Sequence, residues 1–546
     1  MRGSSTIAVR RVRSLGSARS GRSARGAVLV GMAITALVAS ACSSNATPNA
    51  APGTTAANSG KTGTTGGISG TSTTAVQRPA GPAADVSQEL SGGAGVFMGE
   101  STAAATLAPG STKYGQAPMP PGYVQQEFLA KGAATSYKAE GELAGNGKWT
   151  FATDTSAEYR TRIVVRRPEK AEKASGTVVI EWLNVSGGID ANPDWVSFSD
   201  EMARKGHTWV GVSTQRIGIE GGPVLVAVPG FEDLVGKGLK AMDPERYGSL
   251  AHPGDGYSFD MFTQAARAVR AGGPVLGGST PQVVLAAGES QSAIALTTYY
   301  NGVQPLTKAF DGFFVHSRAF AGLPLVGPGE SADLVGAMTQ SKPTTFREDL
   351  AAPVIGLQAE SDVIGVLNSY VVRQPDTDTF RLWEVAGTAH ADQHLLGPVA
   401  ESLDCGVPIN AGPMYLVAGA ALRSLDTWVR GGEAPPKAGR LDVTPGEKPE
   451  ITRNEDGIAK GGIRTPPLDV PIEVLSGVAG PKESLICLLM GSTKPLAPAR
   501  VAALYPSRDA YEKQYSAKTD ETIKAGFLLD EDRDAIKTFA DPALVS

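Results

Sequence analysis

Cysteine and histidine are both scarce in this chain, with three and five respectively among 546 residues. So few histidines, none in a metal-ligand spacing with cysteine or carboxylates, leave no expected metal centre. Phosphate-binding glycine loops are missing as well. No G-x-G-x-x-G follows a strand pattern and no P-loop occurs, so no nucleotide cofactor is expected. Neither sign of charge is in large excess: 50 Lys and Arg stand against 55 Asp and Glu, a net of −5. Beyond the extreme N-terminus no basic run is interleaved with aromatics, which argues against a nucleic-acid partner. Long apolar runs are rare. The one near the start, residues 27–38, is too short to cross about 30 Å of hydrocarbon comfortably.

What is present begins with a leader. Seven arginines from Arg2 to Arg25 precede that apolar stretch, which ends in Ala39-Ser40-Ala41 and then Cys42. Basic, apolar, then small is the order of a secretory signal peptide, expected over residues 1–41. Val38-Ala39-Ser40-Ala41-Cys42 resembles a bacterial lipobox, in which Cys42 becomes the lipid-modified first residue. Ala39-x-Ala41 also suits ordinary signal peptidase. The chain is therefore expected to be exported, either anchored to the outer face of the cell membrane by lipid on Cys42 or secreted. Residues 42–83 are mostly Ser, Thr, Gly, Ala, Asn and Pro, a composition that cannot pack and reads as a flexible tether. Cys405 and Cys487 remain, an even pair that an oxidising compartment can bridge. Closing that long loop would add roughly 4 kcal/mol on the chain-entropy model. Two buried free thiols are the alternative.

The folded part is expected over residues 84–546. Residues 122–168 alternate polar and apolar and read as leading strands. Short runs rich in Val, Ile, Leu, Phe and Trp follow at 177–183, 208–212, 283–287, 313–316, 354–358 and 380–385, the pattern of buried parallel strands. Amphipathic stretches at 195–205, 258–270, 291–300 and 414–430 lie between or after them. Strand and helix alternate, so the class is α/β, a mostly parallel sheet flanked by helices. The core spans about 122–432. Residues 433–546, Pro- and Gly-rich and then helical near 507–517, form a C-terminal extension expected to pack on the same core. The excursion 318–352 reads either as a cap over the strand ends or as ordinary connection.

A serine hydroxyl needs a base beside it, and the base needs an orienting group. Ser290, in Gly288-Glu289-Ser290-Gln291-Ser292, follows the run 283–287 and precedes a helical stretch, the strand-turn-helix context of a nucleophile elbow. Ser292 stands where a second glycine is common. The order Ser, acid, His leaves His390, in a Gly-containing loop after 380–385, as the base. An unperturbed imidazole pKa of about 6.5 predicts loss of rate on acidification. His394, four residues on, reads as a rim residue. The acid belongs after 354–358, where Asp362 and Glu360 compete; Asp362 stands at the more usual distance. Oxyanion donors are expected from the backbone N–H of Gln291 and, in Asn184-Val185-Ser186-Gly187-Gly188, from that of Val185 or else Ser186.

These residues, with Val179-Ile180-Glu181-Trp182-Leu183-Asn184, Asp243-Pro244-Glu245-Arg246-Tyr247, Gly461-Gly462-Ile463-Arg464-Thr465-Pro466 and Gly526-Phe527-Leu528-Leu529, resemble the bacterial "alpha/beta hydrolase domain-containing" family. The likeness runs from about residue 122 to the end. It implies an α/β-hydrolase fold and a Ser-Asp-His site, and its similar members support Asp362 as the acid. The expected function is a serine hydrolase, foremost a carboxylesterase acting on a small-molecule or envelope ester. An acyltransferase using the same acyl-enzyme, or a catalytically silent envelope-binding protein, are the alternatives.

Overall fold

The structure, a computed structural model, describes residues 78–90, 119–226, 236–482 and 484–545. The leader, Cys42 and the tether up to residue 77 lie outside the described residues. Where the tether's last residues are described, they already touch the fold: Pro82 accepts a hydrogen bond from Arg267 Nη1 at 3.2 Å.

A nine-stranded sheet runs in the order β1-β2-β3-β5-β4-β6-β7-β8-β9. β1 (Asp85–Glu89), β2 (Tyr123–Ala139) and β3 (Phe151–Pro168) form an antiparallel flank. β4 (Thr177–Trp182), β5 (Thr208–Val212), β6 (Val283–Glu289), β7 (Gly312–His316), β8 (Val354–Ala359) and β9 (Phe380–Val385) are parallel. Every residue of β4 to β9 is buried, which explains why these strands read as mostly apolar runs rather than alternating ones, with Glu181, Glu289, Gln358, Arg381 and Glu384 among the buried polar exceptions.

Period two still divides these strands between two cores. Val284 and Ala286 join the core beneath α2 (Ser258–Arg270) and α3 (Gln291–Thr298), whereas Val283, Leu285 and Ala287 face α1 (Pro193–Lys205) and a later helix, Met414–Val429. Helices cover both faces. α4 (Leu334–Gln340) lies inside the 318–352 excursion, and α5 (Met414–Val429) closes the parallel part. Chain order reverses at β4, whose neighbours are β5 on one side and β6 on the other. In open parallel sheets the crevice outside such a reversal is the usual ligand site.

The C-terminal extension packs on this sheet. Ile463 bridges Val385 of β9, and Glu384 binds both the Leu441 N–H at 2.8 Å and the Arg373 guanidinium. It adds a two-stranded ribbon (Glu473–Ser476 with Ser492–Pro495), α6 (Leu485–Met490) and α7 (Arg508–Lys524). That last helix is longer than the 507–517 expected, because its surface is polar nearly all round and lacks an apolar stripe to mark its end. Cys405 and Cys487 form a disulfide, joining α6 to the chain that follows His390.

Candidate active site

Ser290 sits between β6 and α3 with φ 59° and ψ −117°, a left-handed backbone that a non-glycine residue adopts only under constraint. The turn is tight. A Cβ on Gly288 would lie 3.0 Å from Ser292 Cβ and from Leu296 Cδ1, so a side chain there would press on the helix start, while Ser292 itself fits fully buried. The Ser290 N–H is held by the His316 carbonyl at 2.9 Å, which fixes the elbow to β7.

His390 comes to this turn from the loop after β9. Its Nε2 is 2.8 Å from Ser290 Oγ, and its Nδ1 is 2.8 Å from Asp362 Oδ1. The loop is pinned by the His390 N–H donating to Ser361 Oγ at 2.7 Å. Asp362 is fully buried, and its other oxygen accepts from the Ala359 N–H at 2.6 Å, so the carboxylate cannot turn away from the ring.

Glu360 and Asp362 occupy one short helix, Glu360–Val363, and residues two apart on a helix face nearly opposite ways. Glu360 therefore points into the extension. It accepts from Gly387 N–H at 2.7 Å, Gly477 N–H at 2.9 Å and Arg453 Nη2 at 2.6 Å. The two candidate acids thus separate: one meets the imidazole, the other ties the His loop to residues 453–477.

The oxyanion side departs from the expectation of two open donors. Gln291 opens α3, so its N–H has no acceptor within the helix. Val185 is buried, and its N–H is directed to the Gln291 side-chain oxygen at 3.2 Å. Ser186 N–H is turned onto Asn184 Oδ1 at 2.8 Å. The Gln291 amide also donates to Gln215, whose oxygen accepts from Trp182 Nε1 at 3.0 Å. This chain of amides joins the ends of β4, β5 and β6 and occupies the Val185 N–H. Asn184 and Ala191 exchange both backbone hydrogen bonds, closing the loop between them. Buried Arg162 holds Asp190 of that loop at 2.7 Å and Glu127 at 3.2 Å.

Sequence reasoning passed over Glu289. The residue before the nucleophile is 4% exposed, and its Oε1 lies 3.3 Å from His390 Nε2. That oxygen accepts no hydrogen bond among the described residues. Burial pushes the Glu289 carboxyl up to about 7, against the pull of His390 and His316. Burial works to lower His390, but the carboxylates of Glu289 and Asp362 overcome it and raise the imidazole to about 9. The expectation of an ordinary imidazole is corrected on this point. Position next to the serine in a G-x-S-x-S run was the only available signal for Glu289.

Of the other histidines, His316 binds Asp194 at 3.0 Å beneath the elbow, and burial lowers its pKa. His394 stacks on Tyr415, with ring centroids 3.7 Å apart. Among the described residues no group of three or more His, Cys, Asp or Glu stands together as metal ligands. A cavity of about 140 Å³ opens beside Ser290 and His390, bordered by Asn184 and Ser186 at one end. Leu334 and Met338 of α4 reach it, so the 318–352 excursion does contribute to the site wall.

The family model for the alpha/beta hydrolase domain matches residues 86–538. The chain belongs to that family. Its mostly parallel sheet with flanking helices is the α/β-hydrolase fold. Among solved structures it is similar to a serine hydrolase without lid from Xanthomonas campestris, at 14% identity over 50% of this chain and 88% of that one, TM-score 0.24. Esterases from Rhizomucor miehei match at 12% identity over 56% and 85%, TM-score 0.28. An esterase from Pyrobaculum calidifontis matches at 13% over 54% and 83%, TM-score 0.27. No curated protein matches the chain.

Proposed function

We propose that this protein is a serine hydrolase that cleaves carboxylic esters through Ser290, His390 and Asp362. The observation that carries the reading is the continuous pair of contacts at 2.8 Å from Ser290 Oγ through both ring nitrogens of His390 to Asp362. Ser290 Oγ attacks the ester carbonyl carbon while Nε2 takes its proton, and Asp362 keeps Nδ1 protonated and the ring oriented. The tetrahedral oxyanion forms at the start of α3, where the Gln291 N–H and the helix dipole favour negative charge. Rotation of the Gln291 amide adds the Val185 N–H as a second donor. Collapse expels the alcohol, protonated by His390. Water, activated by the same imidazole, then releases the acid and restores Ser290.

Export belongs to the same proposal. The Cys405–Cys487 bridge is the kind of bond that persists in oxidising compartments. Lipid on Cys42 would hold the enzyme at the outer face of the membrane.

An active-site-directed fluorophosphonate should label Ser290, and Ser290→Ala should abolish labelling and lower ester turnover by roughly a million-fold. Labelling at another serine, or full turnover by the variant, would refute the mechanism.

A further inference from the structure

Among the described residues, the cavity beside Ser290 is polar only where the reacting groups stand. Asn184, Ser186, Glu289, Ser290, Gln291 and His390 gather at one end. The rest is hydrocarbon, drawn from three distant parts of the chain: Leu334 and Met338 of α4, Leu395 after the His loop, and Leu485, Ile486 and Leu489 of α6. No lysine or arginine among the described residues lines it. A carboxylate bound there would be desolvated beside Glu289, and the cationic group at hand, His390, is already paired with Glu289 and Asp362. Size then limits the neutral occupant. The space is about 140 Å³, close to the roughly 150 Å³ apolar cavity that accepts a benzene molecule.

The α6 wall is held by an unusual device. Cys487 lies in the middle of that helix, between Ile486 and Leu489, and its disulfide runs to Cys405. Both sulfurs are buried in one small cluster with Leu396 and Met490, which also border the cavity. The helix has fewer than two turns, and the bridge acts with two backbone hydrogen bonds, Ala391 N–H to the Leu489 carbonyl at 3.2 Å and Asn410 N–H to the Met490 carbonyl at 2.9 Å, to set how far its leucines stand from Ser290.

Resting on the esterase reading, we infer that the substrate is a neutral ester bearing an apolar chain or ring of about six carbons, and that α6, clamped by Cys405–Cys487, sets that length. Each methylene that leaves water for the cavity raises kcat/KM about fourfold until the space is full. From a two-carbon to a six-carbon acyl group, four methylenes at about fourfold each, the rise is roughly 250-fold, and longer chains gain nothing further.

The test uses the full chain and two ester series, para-nitrophenyl esters of linear acids and acetates of linear alcohols, with the half-ester of adipic acid as the charged counterpart. A maximum near six carbons in either series, and at least a tenfold deficit for the charged ester, is expected. Leu489→Trp and Leu485→Trp fill the cavity from half-buried positions and should cut the hexanoate to acetate ratio tenfold or more. Leu488→Trp, on the exposed side of the same helix, should leave it unchanged. Reduction of the disulfide should lower the ratio while fluorophosphonate still labels Ser290. Should both α6 variants fail to fold, Met338→Trp reads the opposite wall with the same expectation. A flat profile in both series with Ser290 labelled would overturn this inference and leave the esterase reading standing. So would folded tryptophan variants with unchanged ratios. Absence of both labelling and turnover would overturn the two together.

Discussion

Glu289 Oε1 stands 3.3 Å from His390 Nε2, the same ring nitrogen that meets Ser290 Oγ. The imidazole thus has a carboxylate on each nitrogen, with Asp362 in a direct hydrogen bond to one and Glu289 close to the other without one. Both favour the imidazolium, the form that develops as the serine proton is transferred. They also keep the resting ring protonated to higher pH.

The pH profile follows from this pair. Only neutral His390 can accept the serine proton, and the group is raised to about 9, so kcat/KM should climb with pH through neutrality and level off near that value. Glu289→Gln removes a carboxylate that favours imidazolium, which moves the rising limb to lower pH. Because the two groups titrate as a pair, the profile rather than either residue carries the apparent values. A limb that stays put in Glu289→Gln would show that this carboxylate does not set the base.

The two acidic neighbours should fail in different ways. Asp362→Asn should lower kcat by about ten-thousand-fold with little loss of stability, because the ring loses its tautomer and orientation. Glu360→Gln should instead destabilise the fold, by about 1–3 kcal/mol, since it takes the negative charge from a buried carboxyl that accepts from Arg453, Gly387 and Gly477. Thermal unfolding measured beside steady-state kinetics separates them. A larger kinetic loss in Glu360→Gln would exchange their roles.

Arg162 is a structural prediction. It is fully buried between Glu127 and Asp190, so Arg162→Met leaves two buried carboxylates without that partner and should cost about 3–5 kcal/mol in chemical denaturation. The loop from Asn184 to Ala191 is the first part expected to loosen, which amide exchange at Val185 and Ser186 would register.

The disulfide closes a loop of 82 residues. Cys405→Ser should lower stability by about 4 kcal/mol on the chain-entropy model, and Cys487→Ser by the same amount. Thiol titration of the unreduced, denatured protein should find neither cysteine free.

Anchoring is tested at Cys42. Cys42→Ala should release the protein from the membrane fraction or leave an unprocessed precursor. Unchanged fractionation, with no acyl mass on the mature N-terminus, would reject the lipid anchor.

Much of this was legible along the chain because it depends on local spacing. Buried parallel strands are mostly apolar, so the short runs 208–212 and 380–385, rich in Val, Trp, Phe and Leu, stand out from the residues alone and match β5 and β9 to the residue. A serine at the junction of such a strand with a helix is exposed at the strand's C-terminal end in any parallel sheet, which is why Ser290 could be chosen from 546 residues. Strand order and chain order then narrowed the base to His390. Tertiary structure decided what spacing cannot. Asp362 and Glu360 both follow β8, and only the direction each leaves its helical turn sends one to His390 and the other to Arg453. Glu289 and His390 are far apart in sequence and meet because β6 and the loop after β9 converge at one edge of the sheet. Val185 N–H was expected as an oxyanion donor and is turned onto Gln291, because a buried N–H needs an acceptor and the fold brings the Gln291 side chain beside it. The apolar wall from α6 was invisible for the same reason: a short helix shows no periodicity of its own, and only the fold brings it to the serine.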